Sequence, residues 1–247
     1  MDIQVEICCG SYYDALQAQA GGAKRIELNS ALHMGGLTPS VATLRLVKQH
    51  TDLSVITMIR PRGAGFHYIK EDFEVMVEEC KDMLEHGADG IVFGCLDAQG
   101  NIDVEQSKCL IDLAKAKGKE VVYHRAFDCV SDPYKAMQTL IDLGVDRVLT
   151  SGTYPNVSEG KDVLKELQAR FKGQIEILAG CGVNASNAKE LIAYTGVEQI
   201  HSSCKDWVKD ETTCGERVNY CYGPAGHESD YEVVSKQSVE NLLKSIQ

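Results

Sequence analysis

The sequence predicts an α/β protein: one domain over residues 1–247, folded as a single (β/α)₈ TIM barrel. Three observations favour this fold. Eight short apolar runs alternate with longer amphipathic segments, and about 250 residues is the usual length of one such barrel. Nearly every run also ends in a polar residue or a glycine. A barrel gathers all eight strand ends on one rim, whereas an open doubly wound sheet needs such residues only near its switch point.

The eight runs are apolar on both faces, as expected for the strands of a buried parallel sheet. They span residues 3–8, 25–28, 54–59, 90–93, 120–124, 147–150, 175–179 and 198–202. Residues 204–230 differ, because they are polar, charged and contain glycine. This segment is predicted to be a long loop after strand eight, followed by a closing helix over 231–246.

Helix ends are marked by short motifs. Thr38-Pro39-Ser40 places a capping hydroxyl before a proline at the first helical position, and Asp132-Pro133 repeats the arrangement. Glycines stand just before several strands, where the end of a helix favours a left-handed residue. They are Gly21, Gly87, Gly118 and Gly144.

The charge balance bears on partners and location. The net charge is −11 and the pI is near 5.1, and Arg60–Arg62 is the only tight basic cluster, so neither nucleic acid nor a membrane surface is an expected partner. Residues 1–10 lack secretory features and no run of about 18 apolar residues occurs, so a cytoplasmic location with reduced thiols is expected. Cys80 and Cys109 are predicted to be small buried hydrophobes.

Polar side chains at strand ends form the first candidate site. Strand alternation puts Glu6 on the same face as Cys8, and Glu27 on the same face as Asn29. The candidate catalytic residues, if the protein is an enzyme, are Glu6, Glu27, Arg60, His124, Asp128 and His201. Asp128 follows His124 by four residues and is placed to orient it. A structural ion-pair network explains any single member equally well, and only convergence of the set on one rim favours a ligand site.

The glycines after strand seven form a second candidate site. Residues 179–185 match G-x-G-x-x-A, but too little chain follows to build a dinucleotide-binding half. In a barrel this loop and the next helix commonly hold a phosphate or carboxylate. The predicted anion-binding residues are Arg62, Gly180, Gly182, Ser202 and Ser203.

Cysteines suggest a site for a soft metal ion. Cys8 and Cys9 end strand one and Cys181 follows strand seven, and thiolates with few oxygen ligands suit Cu(I). No C-x-x-C pair occurs, and adjacent cysteines in a strand point to opposite faces. A second group, Cys214, Cys221 and His227, fits no standard zinc module, so an incidental loop cluster is favoured there.

Several segments in order resemble the CutC copper-homeostasis family over residues 3 to about 204. They are Glu6-Ile7-Cys8, Gly22-Ala23-Lys24-Arg25-Ile26-Glu27-Leu28, Gly35-Gly36-Leu37-Thr38-Pro39-Ser40, Ile59-Arg60-Pro61-Arg62-Gly63, His124-Arg125-Ala126-Phe127-Asp128, Leu149-Thr150-Ser151-Gly152 and His201-Ser202-Ser203. The resemblance implies a cytosolic (β/α)₈ barrel that self-associates, as a dimer or larger homo-oligomer, and binds Cu(I) through cysteines near strands one and two. Cys8 matches the first of these positions. Asn29 stands where relatives often have the second cysteine.

Two functions therefore remain open. The resemblance implies copper homeostasis with Cys8 as a Cu(I) ligand, and Cys9 or Cys181 is the weaker second candidate. The rim residues instead favour an enzyme acting on a small phosphorylated or carboxylated metabolite. In that enzyme His124 is the predicted general acid or base, with Glu27 or Glu6 as its partner, and Arg60 neutralises the substrate's charge.

Overall fold

The computed structural model describes residues 3–247 and shows, within them, eight parallel strands closed into a barrel. The strands are β1 Gln4–Cys9, β2 Arg25–Leu28, β3 Ser54–Met58, β4 Gly90–Phe93, β5 Glu120–Tyr123, β6 Arg147–Thr150, β7 Glu176–Gly180 and β8 Gln199–Ser202. The barrel closes between β1 and β8, where Glu6 lies opposite His201, and Glu6 also lies opposite Arg25 of β2. The predicted closed barrel is confirmed, with each strand end within one residue of its predicted position.

Helices alternate with the strands and cover the outside of the barrel. They are α1 Tyr12–Ala20, α2 Val41–His50, α3 Lys70–Glu85, α4 Val104–Lys115, α5 Pro133–Asp142, α6 Val157–Phe171, α7 Ala188–Thr195 and α8 Lys236–Ser245. Two short 3₁₀ helices, Leu32–Met34 and Arg125–Cys129, lie in the loops after β2 and β5. Both loops belong to the rim at the carboxyl ends of the strands, where this fold places its functional groups.

The helix caps agree only in part with the predictions. The Asp132 side chain caps α5 with a proline at the first position, as expected. The cap of α2 is Ser40 rather than Thr38, because the Thr38 hydroxyl lies beside α3 and donates a hydrogen bond to Glu79. The left-handed glycine before β2 is Gly22 rather than Gly21.

The chain after β8 differs from the predicted loop. Lys205–Lys209 and Asp230–Val234 form an antiparallel pair, β9 and β10, so the closing helix begins only at Lys236. The Val234 N–H donates a 2.8 Å hydrogen bond to the buried Asp14 carboxylate of α1, which ties the end of this ribbon to the barrel. Residues 205–234 are called the strap below.

Apolar side chains fill two places. The larger cluster lies between the strands and the surrounding helices. The smaller one fills the barrel interior and comes from β3 to β7: Ile56, Met58, Val92, Val122, Leu149 and Leu178. None of its members belongs to β1, β2 or β8, whose interior positions carry polar groups instead. The barrel interior is therefore apolar on one side and polar on the other.

The two cysteines that were predicted to be buried differ in their exposure. Cys80 is buried as predicted, whereas Cys109 is exposed. The buried positions of α4 are Ser107, Leu110, Ile111 and Ala114, and a residue at 109 falls outside that stripe.

Within residues 3–247, no helix has the length and apolar character needed to cross a membrane.

Candidate functional site

The polar side of the barrel interior is built by β1, β2 and β8. Cys8, Glu27 and His201 extend from these strands, and one donor atom from each lies within 4.8 Å of the others. Glu27 and His201 are buried, and Cys8 is partly exposed. The three converge because alternate residues of a strand share a face and the parallel neighbours β2 and β8 flank β1.

Glu6 supports this cluster from the side nearer the strand starts. Its carboxylate lies 2.9 Å from Arg25 Nε and 3.6 Å from Arg147, and it is 3.0 Å from His201 Nδ1. Burial raises the pKa of Glu6, but the hydrogen bond with His201 and the charges of Arg147 and Arg25 outweigh burial and lower the pKa to about 2. Glu6 is therefore ionised at neutral pH.

The ionised Glu6 sets the orientation and tautomer of His201. Because a carboxylate only accepts hydrogen bonds, the proton between the two groups lies on His201 Nδ1. Burial lowers the pKa of His201, but the hydrogen bond to Glu6 and the charges of Glu27 and Glu6 outweigh it and raise the pKa. Among the described residues Nε2 has no hydrogen-bond partner, so this atom is free to bind a metal ion or to exchange a proton.

Glu27 offers one bonded and one free oxygen. Its Oε1 atom accepts hydrogen bonds from Asn29 Nδ2 at 2.8 Å and from the Cys8 thiol at 3.9 Å. Oε2 is buried without a hydrogen-bond partner in the described part of the chain. Burial, assisted by the charge of Glu6, raises the pKa of Glu27, and burial followed by the charge of Glu27 raises the pKa of Cys8. A buried unpaired oxygen is costly, which marks this position as one where a bound group is expected.

A cavity of about 770 Å³ opens beside the cluster, between the ends of β7 and β8 and helix α8. Cys8, His201 and Arg125 line it, together with Gly182 and Ser203. The backbone N–H groups of Gly182, Val183 and Ser203 donate no hydrogen bond to any described residue. Free backbone N–H groups are the donors that the anion site predicted for this loop requires.

The other predicted anion-binding residues have different positions. Ser202 lines the cavity, but its hydroxyl donates to the Val183 carbonyl. Gly180 lies so close to its neighbours that a Cβ atom there would come 2.5 Å from Leu149. Arg62 does not line the cavity: it pairs with Asp72 at 2.6 Å, on the loop after β3. Arg125 lines this cavity where the sequence predicted Arg62.

Arg60 lies on the other side of the mouth, at the end of β3. Its guanidinium is 5.1 Å from the centre of the Phe66 ring and donates three hydrogen bonds to backbone carbonyls. The acceptors are Met34, Gly36 and Ala64. Arg60 therefore holds the loops after β2 and β3 together, and only its buried Nε lacks a described partner.

His124, at the end of β5, lies near Arg60 rather than near the acidic cluster. Its ring is 5.0 Å from Phe66, and its Nδ1 accepts a 3.0 Å hydrogen bond from the Ala126 N–H. Burial, with the charges of Arg60 and Arg125, lowers the pKa of His124 to about 3. His124 is therefore neutral at physiological pH and carries its proton on Nε2, which is buried and has no acceptor among the described residues.

Asp128 does not orient His124, contrary to the prediction. The 3₁₀ helix Arg125–Cys129 turns its carboxylate toward β6, where it accepts hydrogen bonds from Arg125 Nε and from the hydroxyls of Thr150 and Ser151. Asp128 therefore fixes Arg125 at the cavity wall and caps the loop after β6.

The cysteines beside Cys8 do not add thiolate ligands to the cluster. Cys9 faces away from the interior and is buried between the barrel and the helices, so its prediction as a weaker metal ligand is wrong. The Cys181 thiol donates to the Pro155 carbonyl at 3.1 Å. Cys214 and Cys221 contact each other, but His227 stacks on Trp207 at 4.4 Å.

Arg25 and Arg147, which neutralise Glu6, were not among the site residues predicted from the sequence. Arg147 is fully buried at the start of β6, where it also contacts Glu120 at 3.1 Å. The alternation that places Leu149 inside the barrel places Arg147 there as well, so this signal was present in the sequence.

Known proteins resemble this chain in sequence and in fold. A sequence model of the CutC family matches residues 3–206. A CutC family protein of Treponema denticola is 44% identical over 247 residues, covering 99% of both chains. The crystal structure titled putative copper homeostasis protein CutC from Streptococcus agalactiae is 32% identical, covers 81% of this chain and 98% of that one, and has a TM-score of 0.77. A 3-hexulose-6-phosphate synthase structure, 18% identical with full coverage of both chains and a TM-score of 0.61, shares the fold.

The order of motifs, the closed barrel and the extent of these matches agree. The family match spans all eight barrel strands and ends within β9. The strap and α8 lie beyond it for the most part, although the Treponema denticola relative aligns over them too. The chain belongs to the CutC family.

Proposed function

We propose that this protein binds one thiophilic metal ion, Cu(I), at the barrel mouth through Cys8 and His201, with Glu27 beside them. The observation that carries the proposal is the convergence of three donor atoms within 4.8 Å. A thiolate and an imidazole are donors that Cu(I) favours, while a carboxylate is a harder ligand. His201 is bonded through Nδ1, which leaves its Nε2 for a metal ion, and Glu27 Oε2 is buried without a described partner, so these two atoms fit this use.

The residues around the donors support the same function. Glu6 accepts a hydrogen bond from the protonated Nδ1 of His201, which is the usual arrangement around a metal-binding histidine. Asn29 Nδ2 lies 3.6 Å from Cys8 Sγ and donates toward it. Asn29 therefore does not replace the second cysteine as a ligand, but its N–H is placed to stabilise the thiolate that Cys8 would form on binding the metal ion.

The biological role follows from the family. The Streptococcus agalactiae relative is titled a putative copper homeostasis protein, and we assign the same role to this chain. Cytoplasmic location and self-association remain predictions from the sequence. Light scattering on the purified protein tests the second of these.

Competition with a Cu(I) chelator tests the site. Cys8→Ser is expected to lower Cu(I) affinity by about a hundredfold or more, because it removes the softest donor. Cys9→Ser and Cys181→Ser are matched controls that should bind as the wild type does. Wild-type affinity in Cys8→Ser contradicts the proposal, as does an equal loss in Cys9→Ser.

A second candidate function is catalysis on a small phosphorylated or carboxylated metabolite. The cavity of about 770 Å³ favours it, because Arg125 and the free N–H groups lie in the same space as His201. In such an enzyme His201, paired with Glu6, replaces His124 as general acid or base, since His124 stays neutral. A thermal-shift screen with a metabolite panel, repeated without metal, tests this candidate. If no anionic metabolite stabilises the protein, the result counts against catalysis on such a metabolite.

A further inference from the structure

The strap brings two cysteines together between β9 and β10. A short hairpin holds them: the Tyr220 N–H donates to the Thr213 carbonyl at 3.0 Å, and the Gly215 N–H donates to the Val218 carbonyl at 2.8 Å. Cys214 also forms an isolated antiparallel bridge with Asn219. The backbone therefore fixes the relative position of the segments that carry Cys214 and Cys221.

The two thiols are in contact, with 3.5 Å between their sulfur atoms. Within residues 3–247 no other two cysteine thiols are hydrogen-bonded to each other. Cys214 is exposed and Cys221 is partly exposed, whereas Cys9, Cys80 and Cys95 are buried. Access and proximity, the two requirements of thiol chemistry, therefore coincide at this pair.

We propose that Cys214 and Cys221 are a redox modification site, closed to a disulfide by exchange with a low-molecular-weight disulfide such as oxidised glutathione. The Cys214 thiolate attacks one sulfur of oxidised glutathione, and the glutathione S–S bond breaks to release one glutathione thiolate. The Cys221 thiolate then attacks Cys214 in the mixed disulfide and displaces the second glutathione. Two cysteine thiols are oxidised, one glutathione disulfide is reduced to two thiols, and the two cysteine protons pass to the leaving thiolates.

The order of attack follows from the surroundings of the two thiols. Partial burial and the hydrogen bond with Cys214 raise the pKa of Cys221, which lowers its thiolate fraction. Cys214, the more exposed sulfur, is therefore the first nucleophile and Cys221 is the resolving one. A disulfide requires about 2.05 Å between the sulfurs, so closure from 3.5 Å needs a small movement of side chains on an exposed hairpin.

Closure acts on a cleft next to the barrel mouth. A cavity of about 1160 Å³ lies between the strap and the loops after β1 and β2. Thr213, Tyr220 and Tyr222 line it from the hairpin, and Lys205 of β9 lines both this cavity and the one beside Cys8. The disulfide would fix the outer wall of this cleft, independently of metal binding at Cys8.

Peptide mapping gives a direct test because Arg217 lies between the two cysteines. Trypsin cuts after Lys209, Arg217 and Lys236, so peptides 210–217 and 218–236 each carry one cysteine. After equilibration with oxidised glutathione, we expect these peptides to be linked, two hydrogen masses lighter than their sum, and to separate in dithiothreitol. Unlinked peptides under these conditions, or either cysteine joined to a different one, would overturn the proposal.

Single variants test the order of attack and the effect on the strap. Cys221→Ser should trap glutathione on Cys214, while Cys214→Ser should form at least about tenfold less adduct at Cys221. Cys109→Ser and Cys129→Ser, exposed cysteines elsewhere, should leave the link intact.

Amide hydrogen exchange in 210–229 should slow at least about tenfold on oxidation of the wild type and stay unchanged in Cys214→Ser. Equal adducts in the two strap variants, or unchanged exchange on oxidation, would refute the corresponding step.

Discussion

The two histidines at the barrel mouth, His201 and His124, both lie at the carboxyl ends of strands but differ in their electrostatic surroundings. His201 lies on the β1–β2–β8 side, where Glu6 is 3.0 Å away and the pKa of the imidazole is raised. His124 lies on the β3–β5 side, where burial and the charges of Arg60 and Arg125 lower its pKa to about 3. Only His201 combines a free ring nitrogen with an open cavity.

The difference shows that position at a strand end does not define a functional histidine. Strand alternation brought both imidazoles to the mouth, but the charges opposite each ring decide what it does. On one side buried carboxylates attract a proton or a metal ion. On the other, guanidiniums repel both, and His124 stays neutral, with no acceptor for its buried Nε2–H among the described residues.

The largest expected effect concerns Glu6, which organises the acidic side. Glu6→Gln leaves Arg147 and Arg25 without their buried counter-charge, so we expect a loss of about 3–5 kcal/mol in the free energy of unfolding. Glu120→Gln removes an exposed partner of the same Arg147 and should cost less than about 1 kcal/mol. Urea unfolding at neutral pH measures both. Similar losses in the two variants would show that burial of Glu6 is not what makes it important.

The next effect compares the two histidines in Cu(I) binding. His201→Gln should lower Cu(I) affinity by about a hundredfold, about 2.7 kcal/mol, because it removes the imidazole donor. His124→Gln should bind as the wild type does. Chelator competition measures the affinities, and circular dichroism confirms that both variants fold. A loss of Cu(I) affinity confined to His124→Gln would mean that His124, and not His201, is the metal ligand.

The acid stability of the metal-free protein tests the pKa of His124. The unfolded chain takes up the His124 proton near pH 6.5, whereas the folded protein does so only near pH 3. The free energy of unfolding therefore falls as the pH drops below 6.5, and His124 accounts for about 2 kcal/mol of the loss between pH 6.5 and pH 5. His124→Gln should remove that share of the loss. An unchanged pH slope in the variant would contradict the lowered pKa.

The smallest effect distinguishes the two arginines near the predicted anion site. Arg125→Gln should weaken phosphate binding about tenfold, because Arg125 lines the cavity with the free backbone N–H groups. Arg62→Gln should change phosphate binding little, since Arg62 lies on the loop after β3 and is paired with Asp72 of α3. Thermal shift with inorganic phosphate measures both. A larger loss of phosphate binding in Arg62→Gln than in Arg125→Gln would place the anion site at the loop after β3.

Strand bounds and interior faces were predictable from the sequence for a simple reason. Both depend on local patterns, such as β-branched runs and the two-residue period that puts Glu6 with Cys8. The strap was not predictable in the same way. Its strands pair Lys205–Lys209 with Asp230–Val234 across a polar loop, and their alternation is obscured by charged residues on an exposed ribbon.

Site partners were the least predictable feature. Sequence spacing placed Asp128 beside His124, but a single turn of 3₁₀ helix directs it to β6. The opposite faces of Cys8 and Cys9, by contrast, were predictable from the sequence, because adjacent residues of a strand alternate.

The sequence by itself determined the closed barrel, the polar rim and the family, because these depend on periodicity and on the order of motifs along the chain. Only the tertiary structure decided that His201, and not His124, joins Cys8 and Glu27. The reason is physical: the contact that orients His201 joins it to Glu6, 195 residues away in the chain. Burial and charge at such a contact depend on groups that meet only when β1 and β8 close the barrel.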